Sequence, residues 1–276
     1  IFIFIATNTL LPKAENKKDV ENKFEKESCI IKLGNDRVYV RNGKVDYSYN
    51  GVGECDGISY YFSNGKVVKI YGAIDTSKPM IALTYDDGPS ELYTNRIVNE
   101  LSRVGGRATF YVIGDNVNTY GYQVIYANNH GCDIGNHSSD YTSLITISQD
   151  EIIDNISKCN RSISDSIGTP ARTVRPVGGH VNDMVINTID YPLITWSVNT
   201  YDWRDHDADL IYSRVIGNVS DGDIVLMHDT FESTADASER IIPELVSEGY
   251  QLVTVEELAY YKGYDLKSHT IYSSFK

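Results

Sequence analysis

Basic residues are in short supply. Only 25 Lys and Arg stand against 38 Asp and Glu, giving a formal net charge of −13 at pH 7. A chain this acidic repels polyanions, so nucleic acid and an anionic membrane surface are excluded as main partners. Cysteine is scarce too. Cys29, Cys55, Cys132 and Cys159 form no CxxC spacing, which excludes a disulfide scaffold and a zinc ribbon. Cys29 with Cys55 would form a bridge in an oxidising, extracellular setting, and buried thiols are expected for Cys132 and Cys159. The opening run, IFIFIATNTLL, is too short to span a bilayer, and no Met precedes it. It reads as the remnant of a signal peptide or N-terminal membrane anchor, followed to about residue 35 by a charged linker, and the two together suggest export. Tryptophan occurs twice, tyrosine 21 times. Neutral glycans therefore remain compatible as partners, although part of the tyrosine surplus belongs to strand cores.

What is present falls into two regions. From residue 36 to 75, RVYVRNGKV recurs as SYYFSNGKV, with β-formers before an Asn-Gly each time. Two strands about an Asn-Gly make a hairpin, so a pair of hairpins is predicted. The stretch also resembles the tyrosine-rich, NGKV-bearing repeats of Gram-positive surface proteins that are linked to wall or glycan attachment. A β-cap over one end of the main domain is the alternative. From residue 76 to 276 strand and helix signals alternate. ATFYV, CDIGNH, TVRPV, YPLITWSV, DIVLMHD and YQLVT read as strands, and two capping boxes, Ser148 to Glu151 and Thr254 to Glu257, open helices. Repeated βα units with nearly continuous apolar strands predict an α/β domain. Its parallel sheet is either a barrel or an open doubly wound sheet.

The chemistry is concentrated where strands end. IALTYDDGPS carries Asp86 and Asp87 at a strand's carboxyl end, the edge where α/β proteins gather ligands, with Gly88-Pro89 supplying the turn that aims both acids into one site. His137 ends the third strand, Arg175 and Gly178-Gly179 follow TVRPV, Asp202-Trp203 follow the Trp196 strand, and His228 ends DIVLM. So many catalytic groups on one rim exceed what solvated turns explain.

In order and spacing these residues resemble the NodB-like polysaccharide deacetylases, carbohydrate esterase family four. The motifs stand as TYDDGP (Thr84 to Pro89), His137-Ser-Ser-Asp-Tyr141, Arg175-Pro-Val-Gly-Gly179, Asp202-Trp203 and Leu226-Met-His228, covering roughly residues 77 to 260. The resemblance implies a distorted (β/α) barrel. It implies Asp86 as general base, an Arg175 to Asp202 ion pair orienting it, and His228 as the acid for the departing amine. Asp87 and His137 become metal ligands, and a backbone N–H near Gly178 shares the oxyanion. Leu226 and Trp203 either wall the acetyl pocket or pack the core. The family's second ligand histidine is here Tyr141. Three outcomes are open: Tyr141 coordinates, Asp140 swings in, or water completes the set. The implied cofactor is a divalent metal, zinc first, with cobalt or manganese as alternatives. The implied partner is a cell-wall glycan, the expected form a monomer, and the location extracellular, secreted or membrane-anchored. The expected activity is deacetylation of N-acetylglucosamine units of peptidoglycan. The alternatives are a chitin-oligomer deacetylase, an acetylxylan esterase, or a glycan-binding pseudoenzyme.

Overall fold

A computed structural model describes residues 29–276. The signal or anchor remnant and most of the charged linker lie outside the described residues. So does the Cys29 side chain, and with it the Cys29 to Cys55 bridge.

One compact unit holds described residues 29–56 and 60–69. It carries β1 (Cys29–Leu33), β2 (Asp36–Arg41), β3 (Lys44–Val45), β4 (Gly51–Cys55), most of β5 (Ile58–Ser63) and the first half of β6 (Lys66–Ala73). They form one sheet in the order β1-β2-β6-β5-β4, with β3 on β2. The two predicted hairpins are β2/β3 and β5/β6. Asn42-Gly43 and Asn64-Gly65 all hold positive φ, between 49° and 74°, which suits turns whose twist matches that of the strands. The sheet begins before the expected boundary at residue 36. The β-branched run of β1 pairs antiparallel with β2 from Cys29↔Val40 to Leu33↔Asp36. Tyr39 stacks on Tyr49 with centroids 4.3 Å apart, above a fully buried Phe62.

The second unit, mainly residues 70–276, is the distorted (β/α) barrel. Its first strand, β7 (Met80–Asp86), is buried at every position. It is followed by β8 (Thr109–Val112), β9 (Asp133–Asn136), β10 (Leu193–Ile194), β11 (Val198–Asn199), β12 (Ile224–His228), β13 (Gln251–Leu252) and β14 (Ile271–Tyr272). The parallel order is β11-β12-β7-β8-β9, with β13 also on β7. Val174 alone continues the ring, bridging Asn136 on one side and Leu193 on the other. Beyond it β10 pairs with β14, and Ser274 returns to Asp223 beside β12.

Two predicted strands are shorter than their apolar runs suggest, for local reasons. TVRPV contributes only the Val174 bridge, because Pro176 has no N–H to donate. YPLITWSV breaks between β10 and β11, and the carbonyls of Ile194 and Thr195 at the break accept from the Arg175 guanidinium at 3.2 and 2.9 Å. Backbone is taken from the sheet to hold a side chain.

Helices cover the barrel. The helix α1 (Thr94–Arg103) buries Ile97, Val98 and Leu101, and α2 (Gly114–Asn129) follows β8. Both predicted capping boxes form, at the starts of α3 (Gln149–Ile167) and the terminal helix Val255–Tyr261. In the second box Glu257 is fully buried, and both its oxygens accept from Arg107, at 2.9 and 3.0 Å. No helix of the described residues is long and apolar enough to cross a membrane.

Candidate active site

β7 delivers Asp86 and Asp87 to the rim, but the turn after it is made differently from the sequence expectation. The left-handed residue is Asp87 itself, with φ 73°, whereas Gly88 has no positive φ. Asp and Asn tolerate that conformation better than most residues. Gly88 is needed for space: a methyl group there would fall 2.3 Å from Asp229 Oδ1, far inside contact distance. Gly88→Ala is therefore expected to lower stability by about 1–3 kcal/mol, as overpacking does, with a matching fall in the urea midpoint.

Asp86 lies almost wholly buried, and its Oδ1 accepts from Arg175 Nη1 at 2.7 Å. The same Nη1 donates to Thr84 Oγ1 at 2.7 Å, and Thr84 spends its own hydrogen on the Val225 carbonyl at 2.6 Å. The guanidinium also lies 4.3 Å from the Tyr111 ring centroid. Arg175 is thus fixed on every side. This corrects the Arg175 to Asp202 pair implied by the resemblance: the buried guanidinium meets Asp86 directly, and Asp202 serves another residue.

That residue is His228. Asp202 Oδ1 accepts from its Nδ1 at 2.8 Å, Oδ2 accepts from its backbone N–H at 2.7 Å, and Thr234 Oγ1 donates to Oδ2 at 2.8 Å. Burial alone would lower the His228 pKa. The Asp202 hydrogen bond and charge, with the charges of Asp86 and Asp87, overcome this and push it up to about 9. The ring therefore carries its proton at neutral pH. A histidine raised on folding contributes stability that is complete below its unfolded value of 6.5 and is lost as pH rises through about 9. Chelator-treated protein is expected to lose thermal stability across that window, and Asp202→Asn to lose less of it. Melting temperatures from pH 6 to 10 for the two proteins provide the check.

His137 donates from Nδ1 to the Arg175 backbone carbonyl at 2.6 Å, which leaves Nε2 facing the acids. Nε2 lies 3.4 Å from Asp87 Oδ1 and 3.7 Å from Asp86 Oδ2. Burial opposes its protonation, but the Asp86 charge and the Asp87 hydrogen bond prevail and raise its pKa. Burial likewise pushes the Asp87 carboxyl up, and the bond and charge of His137 with the charge of His228 bring it below the ordinary value.

The Tyr141 hydroxyl donates to the Asp87 backbone carbonyl and accepts from Asn116 Nδ2, both at 3.4 Å, and the ring is 57% exposed. Asp140 does not turn toward the acids. Its Oδ1 accepts from Thr142 N–H at 2.8 Å and from Asn155 Nδ2 at 3.4 Å, and it lines a separate depression with Gly114 and Lys158. The Asp140 alternative is thereby corrected by a local turn that consumes the carboxylate.

These groups share one cleft of about 450 Å³. Asp86, Asp87, His137, Tyr141 and His228 line it, and so do the expected Gly178, Trp203 and Leu226. Leu226 is buried, but Trp203 is 50% exposed, so it is a rim residue and not core packing. Asn199, at a position of the fourth motif that is often Asp in the family, is also in the lining; sequence reasoning missed His180 and Trp196 there, and it missed Asp229, whose carboxylate lies against Gly88. Asp229 is fully buried, accepts from the Thr94 hydroxyl, and is pushed by burial up to about 7. Its one sequence signal is its place directly after His228.

Paired acids, two imidazoles and a buried guanidinium at the mouth of a (β/α) barrel make a site of hydrolytic type. The chain belongs to the polysaccharide deacetylase family: the model described as polysaccharide deacetylase matches residues 73–191. It is 36% identical over 185 residues to the peptidoglycan-N-acetylmuramic acid deacetylase PdaC of Bacillus subtilis, covering 67% of this chain and 40% of that protein. A peptidoglycan-N-acetylglucosamine deacetylase of Bacillus cereus is 32% identical over 197 residues, 68% of this chain and 92% of that one. Among solved structures, a family 4 acetyl xylan esterase from Clostridium thermocellum in complex with a cobalt ion superposes with a TM-score of 0.67 at 32% identity, over 71% of this chain and 98% of that one. The chain spans about two-fifths of the length of the first curated relatives it matches.

Carbohydrate esterases of family four generally depend on a divalent metal. The donors here fit one at two positions, since His137 Nε2 and Asp87 Oδ1 converge at 3.4 Å in the same cleft. Among the described residues no third His, Cys, Asp or Glu joins them. An N and O set of this kind suits zinc, cobalt and manganese alike.

Proposed function

We propose that this domain hydrolyses the N-acetyl amide of N-acetylglucosamine units in a cell-wall polysaccharide, with peptidoglycan as its substrate. The convergence in one cleft of Asp86 on Arg175, Asp87 beside His137, and His228 on Asp202 carries the conclusion. Named peptidoglycan deacetylases among the relatives support that substrate over chitin oligomers or acetylxylan. A secreted or membrane-anchored protein acting as a monomer at the bacterial surface follows from the same reading.

The roles follow from protonation. Asp86, oriented by the hydrogen bond from Arg175 Nη1 at 2.7 Å, takes the proton of the attacking water. A backbone N–H near Gly178 in the cleft wall donates to the developing oxyanion. His228, protonated on Asp202, passes its proton to the amine nitrogen as the C–N bond breaks, so that acetate and a free glucosamine leave. Leu226 and Trp203 flank the acetyl methyl. Asp87 and His137 would hold a divalent ion, zinc in the first instance, which would supply Lewis acidity toward water and the acetyl carbonyl.

Acetate release from N-acetylglucosamine oligomers tests this. Release that stops with chelator and returns with zinc, cobalt or manganese is the expected result. Tyr141 at a ligand histidine's place favours a second reading, a glycan-binding pseudoenzyme. Silence in all three metals with the oligomer still bound would establish that instead.

A further inference from the structure

Of the tyrosine and tryptophan side chains in the cleft, Tyr141 is the most exposed, and its hydroxyl reaches two partners at 3.4 Å. Its hydroxyl hydrogen is spent on the Asp87 carbonyl, and it accepts from the Asn116 amide, which also donates to that carbonyl at 2.8 Å. Both tethers lead to backbone or amide, not to the Asp87 carboxylate or His137 Nε2, where an ion would sit. The residue is 57% exposed, so a face of the ring is open to a ligand. It lines the same cleft as Trp196 and Trp203, so the only two tryptophans in the chain stand with it in one place. Aromatic faces on a wet rim, beside a buried and a half-buried acid that repel anions, fit the apolar C–H face of an uncharged sugar.

We propose that Tyr141 is a glycan-stacking residue that fixes a sugar of an N-acetylglucosamine chain at the mouth of the cleft, and is not a metal ligand. The proposal rests on the glycan reading above and adds a specificity-determining contact to it. Asp87 and His137 would then be the side chains that hold an ion, and the ring's share of glycan binding is independent of it.

The two roles separate in chelator. Binding of a β-1,4-linked N-acetylglucosamine tetramer to metal-free protein is measured by calorimetry for wild type, Tyr141→Phe and Tyr141→Ala, and zinc binding is titrated for the same three proteins. Tyr141→Phe is expected to keep tetramer affinity within about twofold and Tyr141→Ala to lose about tenfold, the order of one aromatic contact. Zinc affinity is expected to stay within about twofold throughout. A loss of tenfold or more in zinc affinity for Tyr141→Phe would overturn the proposal, as would an unchanged tetramer affinity for Tyr141→Ala. Metal-free wild type that binds no tetramer would overturn it too, and acetate release by that same protein with metal restored would leave the deacetylase function standing.

Discussion

Asp86→Asn is expected to lower acetate release from an N-acetylglucosamine oligomer by about 10²–10⁴-fold, the usual worth of a positioned general base. The amide keeps the size of the carboxylate and an oxygen for Arg175 Nη1, so the 2.7 Å contact has a substitute. It cannot take a proton from water. Zinc affinity separates this role from that of a ligand. Asp86 Oδ2 stands 3.7 Å from His137 Nε2, farther than Asp87 Oδ1 at 3.4 Å, and its other oxygen is committed to the guanidinium. Calorimetric titration of the chelator-treated variant should therefore give zinc binding close to wild type. Collapse of zinc binding would make Asp86 a ligand, and activity within tenfold of wild type would remove it from the base role.

The strand ends were legible because each follows from a local rule. An apolar strand that stops at Asp86, His137 or His228 places those side chains on one rim whatever the rest of the chain does. The capping boxes at Ser148 and Thr254 are likewise local. What could not be read is who faces whom across strands distant in sequence. Arg175 was expected on Asp202, yet the carbonyls of Ile194 and Thr195, where β10 ends, and the Thr84 hydroxyl accept from it, together with Asp86. Asp202 is left to orient His228. Tyr141 matched a ligand position by spacing alone, and only coordinates show its hydroxyl on a backbone carbonyl. Asp229 escaped notice because, apart from its place after His228, a buried carboxyl that accepts from a threonine hydroxyl and packs on a glycine leaves no pattern in the sequence. Its requirement surfaces indirectly, as the Gly in TYDDGP.

Arg175→Met is expected to cost about 3–5 kcal/mol of stability, the range for removing one partner of a buried ion pair. The guanidinium is 0% exposed, and four of its hydrogen bonds, to Asp86, Thr84 and the carbonyls of Ile194 and Thr195, disappear together. Most of the loss comes from the Asp86 carboxylate left buried without a counter-charge, and this can be tested apart from packing. In an Asp86→Asn background the orphaned charge does not exist, so Arg175→Met should cost less there, and the difference is the coupling energy of the pair. Urea unfolding of the four proteins gives that difference. A cost equal in both backgrounds would mean that Arg175 supports the barrel wall by its bulk and its carbonyl bonds, and that Asp86 owes it nothing electrostatic.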